Sequence, residues 1–193
     1  MTKGDPVLFD RVALIGVGLI GASLGLVMKR EGLAGRVVGC ARTQATLDKA
    51  LELGIVDEAT TDPAAAVIEA DLVMLCTPVG AFAKTAATMA KRLKPGAIVS
   101  DVGSVKQAVI ADLLPFLPKS VHLVPGHPIA GTEHSGPEAG SADLFKGRWC
   151  ILTPLQETDA GAVKKLTTLW TRAGMEVEAM DAEHHDMVLA VTS

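Results

Sequence analysis

An α/β fold with a doubly wound, mainly parallel sheet is predicted by three features of the 193-residue sequence. Short apolar runs alternate with stretches bounded by helix start and stop signals. A glycine-rich turn lies directly between the first apolar run and the first helix. Aromatic residues make up only 3% of the chain and tyrosine is absent, so Val, Ile, Leu and Ala must build the core. Continuous aliphatic runs of this kind mark strands buried on both faces, as in a parallel sheet covered by helices.

The elements follow in order. Arg11–Ile15 reads as the first strand, and a helix runs from about Leu19 to Arg30, with Gly32 as its stop. Val37–Cys40 is a second strand, and Thr43 caps a helix ending near Gly54. Asp62-Pro63 starts another helix, with the aspartate as cap and the proline in the first helical position. Leu72–Cys76 is a buried strand closed by Thr77-Pro78, and a helix to about Leu93 precedes the Pro95-Gly96 turn. Ala97–Val102 is a strand, Ser104 is placed to cap the next helix, and Val121–Val124 is a further strand. After Pro125 the alternation breaks. Residues 126–147 are rich in Gly, His, Ser, Thr and Glu, and an irregular stretch of that length is expected to be functional or mobile. A strand near 149–153, a helix near 159–173, a strand over Met175–Ala179 and a helix from Asp181 complete the chain. That last helix is expected to be still running at Ser193. Residues 1–180 therefore read as one domain, and 181–193 as the first helix of a further C-terminal part.

Composition narrows the partners. The net charge is −4, from 18 basic and 22 acidic residues without a long basic run, which argues against nucleic acid. Cys40, Cys76 and Cys150 are far apart with no C-x-x-C spacing, so neither a disulfide framework nor a metal site is expected, and a reducing cytoplasm is the natural setting. Met1–Asp10 lacks the layout of a signal peptide, and no run approaches the ~18 apolar residues of a membrane span. A soluble protein with no membrane partner is the expectation.

The turn Gly16-Val17-Gly18-Leu19-Ile20-Gly21 has the strand before it and the helix after it that a Rossmann dinucleotide fingerprint requires. Gly16 permits the tight turn, Gly18 admits the pyrophosphate, and Gly21 lets helix and strand approach. The helix N-terminus, with Leu19 and Ile20, offers N–H groups to the phosphates. About 20 residues further on, an acidic side chain would bind the ribose of NAD. Here the sequence is Ala41-Arg42-Thr43, with no carboxylate. Ala41 leaves space, Arg42 can pair with a phosphate and Thr43 can donate a hydrogen bond, so the cofactor is NADP or NAD, with NADP favoured by Arg42. A solvated surface charge is the alternative reading of Arg42.

Ligands in such sheets sit outside the carboxyl ends of the strands. Three predicted ends fall there: Cys76-Thr77-Pro78, Asp101-Val102-Gly103-Ser104 and Pro125-Gly126-His127-Pro128. Cys76 reads as a small buried residue beside the cofactor, not as a nucleophile. Ser104 is a helix cap that also faces the cleft. His127, held between Gly126 and Pro128 in a rigid turn opposite the nucleotide turn, is the candidate catalytic base. His122 reads as a packing residue. His184 and His185 are adjacent on a helix, face different directions and make no metal pair.

The runs Gly16 to Gly21, Asp101-Val102-Gly103-Ser104-Val105-Lys106 and Gly126-His127-Pro128-Ile129-Ala130-Gly131-Thr132-Glu133 resemble the prephenate/arogenate (cyclohexadienyl) dehydrogenase family. Glu183-His184-His185-Asp186 and Val191-Thr192-Ser193 are similar to it too, so the resemblance covers the chain from about Phe9. It implies tyrosine biosynthesis, by oxidative decarboxylation of prephenate or arogenate with hydride transfer to NAD(P)+. It further implies that His127 takes the proton of the ring hydroxyl, that Ser104 bonds that hydroxyl or His127, and that Thr132, Glu133 and Ser135 lie beside the substrate. The family continues into a helical domain that forms a homodimer and carries an arginine for the substrate's side-chain carboxylate, neither of which lies in these residues. Many members carry an acidic residue where this chain has Ala41-Arg42. The residues alone also admit another Rossmann dehydrogenase, of the β-hydroxyacid or imine reductase type, or a non-catalytic nucleotide-sensing module.

Overall fold

The computed structural model describes residues 7–190. Phe9–Ile15 (β1), Ala34–Cys40 (β2), Glu58–Thr60 (β3), Leu72–Leu75 (β4), Ile98–Asp101 (β5) and His122–Leu123 (β6) form one parallel sheet. Its order is β3-β2-β1-β4-β5-β6. The order reverses between β1 and β4, the switch point where a doubly wound sheet opens its ligand crevice. Leu19–Arg30 (α1), Gln44–Glu52 (α2), Pro63–Ala66 (α3), Phe82–Met89 (α4) and Lys106–Leu113 (α5) make the crossovers.

Successive side chains of a strand point to opposite faces, so β1 supplies both layers of the core. Val12 and Leu14 join a cluster with Leu24, Met28, Leu166 and Trp170, whereas Ala13 and Ile15 join one with Phe82, Met89 and Val109. Register sets the strand ends level: Ile15 pairs with Cys40 and Leu75, and Leu75 pairs with Asp101.

Two features depart from the expected single sheet. Gly126–Pro128 (β7), expected inside an irregular stretch, pairs antiparallel with Trp149–Leu152 (β8), which pairs parallel with Glu176–Ala179 (β9). His127 therefore stands in a strand opposite Ile151, not in a turn. The pairing joins segments over 20 residues apart, and local sequence pattern carries no trace of it. β3 has no apolar run to announce it. It forms as an edge strand, with Glu58 ion-paired to Arg11 at 2.6 Å and Arg36 at 2.5 Å.

Several caps stand where expected. Thr43 accepts from the N–H of Thr46 at 3.3 Å, and Asp62 from that of Ala64 at 2.9 Å. Asp159, at which the sequence pattern marks a helix start without naming a cap, also caps Ala160–Arg172 (α6), accepting from the N–H of Ala162. Asp181 accepts from the N–H of His184 at 2.8 Å and opens Ala182–Ala190 (α7). The expected continuation of that helix to Ser193 lies outside the described residues. Ser104 does not cap α5. The helix starts at Lys106, so Val105 takes the cap position and Ser104 stands one residue too early. The cap comes from the far end of the chain: the Asp186 carboxylate accepts from the N–H groups of Lys106 at 2.7 Å and Gln107 at 2.9 Å. A carboxylate there also suits the positive end of the helix dipole.

None of the described helices is long and apolar enough to cross a membrane.

Candidate active site

The glycine turn follows β1 directly. Gly16 has φ +104°, and a Cβ there would stand 2.7 Å from the Cys76 carbonyl, so both conformation and space demand glycine. A Cβ on Gly21 would lie 2.1 Å from the Gly16 carbonyl oxygen. Gly18 is different, because nothing stands within 4 Å of the Cβ it lacks. The space over the turn is open where α1 begins, and no side chain caps that helix. Its first-turn N–H groups, with Leu19 and Ile20 among them, are left to a ligand, the arrangement that receives a pyrophosphate.

Beside the turn, a cavity of about 440 Å³ is lined by Ala41, Arg42, Thr77, Pro78, Lys84 and Thr88 among others. Thr77 Oγ1 is shielded from solvent without a hydrogen-bond partner. An orphaned hydroxyl costs free energy unless a ligand satisfies it, so the donor set fits a dinucleotide. Arg42 is exposed and, among the described residues, makes no ion pair. Thr43 is committed to its cap. Cys76 packs near Gly21 and is half-buried, and burial, followed by the Asp101 carboxylate, pushes its thiol well up. It stays protonated, which does not suit a nucleophile, and it is not among the residues that line the cavity.

Asp101 closes β5 level with Leu75 at the end of β4. Asp101 and Lys106 are fully buried and meet at 2.5 Å. Asp101 also accepts from the N–H of Gly103 at 2.7 Å and of Gly126 at 3.1 Å, while Lys106 donates to the Gly126 carbonyl at 2.6 Å. One ion pair thereby ties the Gly103 turn to the start of β7. A Cβ on Gly103 would meet Val79 at 2.8 Å and Asp101 at 3.0 Å, so the turn is closely packed.

Next along β7, His127 is half-buried. Its Nδ1 lies 3.0 Å from Nε2 of the fully buried His185, and His185 Nδ1 lies 2.8 Å from Asp186. Burial foremost, then the neighbouring His185 and Lys106, lowers the His127 pKa to about 4 against the pull of Asp186. The ring is neutral at pH 7. Burial of the Asp186 carboxyl opposes its charge, but the N–H groups of Lys106 and Gln107 and the His185 ring outweigh it and hold Asp186 ionised.

The structure thus brings Gly16, Gly21, Cys76, Asp101, Gly103 and His127 to one end of the sheet. Ser104 is exposed at that rim, and His127 bonds His185 rather than Ser104. Thr132, Glu133 and Ser135 are exposed in the segment after β7, where Thr132 accepts from the N–H of His134 at 3.2 Å. Lys106, His185 and Asp186 carry no role in the sequence reading beyond marking motifs. Reading His184 and His185 as facing different ways is right, since only His185 is buried, but sequence spacing gives no sign that it meets His127, 58 residues earlier. No group of three His, Cys, Asp or Glu side chains that could hold a metal occurs among the described residues. A larger cavity, about 730 Å³, opens at the β6 edge between Leu117, His122 and Leu155, away from these strand ends.

A family model described as prephenate dehydrogenase, nucleotide-binding domain, matches residues 24–179. The chain is 44% identical over 185 residues to a cyclohexadienyl dehydrogenase of Zymomonas mobilis, covering 96% of this chain and 63% of that protein. It is 34% identical to a prephenate dehydrogenase of Bacillus subtilis, covering 95% of this chain and 50% of the relative. Among solved structures, it superposes with TM-score 0.89 and 37% identity on Aquifex aeolicus prephenate dehydrogenase in complex with hydroxyphenyl propionate and NAD+, over 100% of this chain and 66% of that one. A Synechocystis arogenate dehydrogenase gives TM-score 0.87 at 32% identity, over 95% of this chain and 64% of that one. The chain spans about half to two thirds of the length of these relatives.

Proposed function

Because the chain belongs to the prephenate dehydrogenase family through its nucleotide-binding domain, we propose that it is the cofactor-binding part of an enzyme that oxidatively decarboxylates prephenate or arogenate in tyrosine biosynthesis. One observation carries the reading: a neutral His127, braced by His185 at 3.0 Å, stands at the end of the sheet where the glycine turn opens. The named relatives act on this substrate class.

When bound, the nicotinamide supplies the acceptor for the hydride that leaves the ring carbon bearing the hydroxyl. His127 accepts the hydroxyl proton as that hydride departs, and the ring aromatises with loss of carbon dioxide. A neutral imidazole within hydrogen-bond reach is suited to that transfer. Ser104, exposed at the same rim, offers a hydroxyl to the substrate oxygen. Thr132, Glu133 and Ser135 flank the substrate from the segment after β7. The Asp101–Lys106 pair keeps the strand beneath His127 in place.

The glycine turn and the N-terminus of α1 hold the pyrophosphate, and the cavity beside Ala41 holds the adenosine. Two cations line that cavity, Arg42 and Lys84, and none of its lining residues is acidic. This supports NADP over NAD. Residues 1–180 form the nucleotide domain, and α7 leads into a helical part that makes the intact enzyme a homodimer in the cytoplasm.

The test is nicotinamide reduction followed by absorbance. This chain and a C-terminally extended one would each be given prephenate or arogenate with NAD or NADP. Turnover in the extended chain is expected, and its absence there while the nucleotide binds would overturn the reading.

A further inference from the structure

We propose that Asp186 and His185 are positioning residues that fix the tautomer of His127, presenting its Nε2 as a bare lone pair to the substrate. The proposal rests on the reading of His127 as the base. It follows from counting protons along a chain of three side chains. Asp186 is ionised and accepts only, so the facing nitrogen of His185, Nδ1 at 2.8 Å, carries the hydrogen. In a neutral ring the other nitrogen, Nε2, is then an acceptor. His127 Nδ1 lies 3.0 Å from it and must donate. With its proton on Nδ1, neutral His127 keeps Nε2 free to accept one. The opposite tautomer would put a hydrogen on Nε2 and abolish the base.

Burial makes this assignment firm. His185 is fully buried, so no water offers its ring an alternative partner. Asp186 is itself anchored, because its two oxygens accept from the N–H groups of Lys106 and Gln107 at the start of α5. The carboxylate that selects the His127 tautomer therefore also locates the turn carrying Ser104. Once His127 takes the proton, its Nδ1–H still points toward His185 and the Asp186 charge, which stabilises the cation as it forms. A carboxylate placed behind a base histidine acts by holding tautomer and orientation, and an amide in its place presents the wrong tautomer.

The decisive measurement needs no substrate. Long-range ¹H–¹⁵N correlation spectra of the imidazoles, on this chain at pH 7, report which nitrogen of each ring is protonated. His127 and His185 are both expected as the Nδ1–H form. In D186N, the new amide NH₂ can donate to His185 Nδ1, and both rings are expected to switch to Nε2–H. His185→Gln removes the selecting partner by a second route and is expected to leave His127 as a mixture of tautomers. Nε2–H on His127 in the unsubstituted chain, or Nδ1–H surviving in both variants, would overturn the proposal. In the extended, active chain D186N is expected to lose about 10²–10⁴-fold in kcat with nucleotide affinity unchanged. Failure of the functional reading looks different: no turnover by the unsubstituted extended chain, with the His127 tautomer still as stated.

Discussion

The Lys106 ammonium and the Asp101 carboxylate meet at 2.5 Å, and neither side chain is exposed to solvent. Burial pushes the Asp101 carboxyl up and the Lys106 amine down, while each charge opposes the shift of the other. Further bonds satisfy both groups: Asp101 takes the N–H of Gly103 and Gly126, and Lys106 reaches the Gly126 carbonyl. The pair joins the end of β5, the start of α5 and the start of β7 in one place.

Removing one partner leaves a buried charge uncompensated, which costs about 3–5 kcal/mol. Lys106→Met is therefore expected to lower unfolding free energy by that amount in urea titration. The double variant D101N/K106M is expected to recover part of the loss, because no lone charge remains. Equal stability of the single variant and the parent would refute the account.

The glycines of the turn separate by what a Cβ would meet. Gly21→Ala drives a methyl against the Gly16 carbonyl at 2.1 Å and is expected to destabilise the fold itself. Gly18→Ala meets nothing within 4 Å, so it is expected to unfold at nearly the parent's denaturant midpoint. It still fills the open space above the N-terminus of α1 where the proposed pyrophosphate site lies. Titration calorimetry with the nucleotide is expected to show affinity lost in Gly18→Ala despite its intact fold.

Arg42 and Lys84 are expected to act on one ligand. A hydrogen bond to a charged group contributes about 1.5–3 kcal/mol, so Arg42→Ala should lower NADP affinity about tenfold or more and leave NAD binding nearly unchanged. Lys84→Ala should do the same more weakly, as a solvated point charge. Direct titration of both nucleotides decides it. Equal or tighter NAD binding by the parent chain would remove the case for NADP.

His127 sets the pH behaviour. His185 and Lys106 lower its pKa and Asp186 raises it, but burial is the largest influence, and the result is about 4 against an ordinary 6.5. The acid limb of kcat/KM, which reports the free enzyme, is expected near that lowered value. The sign for stability follows. Between about 6.5 and about 4 the unfolded chain binds the proton and the folded one resists it. The histidine's contribution is whole above the upper value and is lost as pH falls through the lower one. His127→Asn should remove both effects and nearly all turnover. Near-normal turnover would favour a dehydrogenase whose acid or base lies elsewhere.

Much of the fold was legible because it is local. The β1–turn–α1 unit, the caps at Thr43 and Asp62, and the aliphatic strands β4 and β5 are each written in consecutive residues. β3 was not, because Glu58-Ala59-Thr60 becomes a strand only by lying against β2, with Glu58 paired to Arg36 of β2 and Arg11 of β1. Nor was β7, whose ladder with β8 needs two segments brought together from a distance.

For the site, residue types and motif order by themselves marked the glycine turn, Arg42, Cys76, Asp101 and His127, since each follows a strand in a repeating pattern and parallel strands place their ends on one edge. Tertiary structure alone decided what those residues touch. It displaced Ser104 from the cap of α5 in favour of Asp186, buried Lys106 against Asp101, and set His185 behind His127. The physical reason is the same in each case. A buried proton, charge or free N–H must find a partner, and the partner it finds is fixed by packing in space, not by separation along the chain.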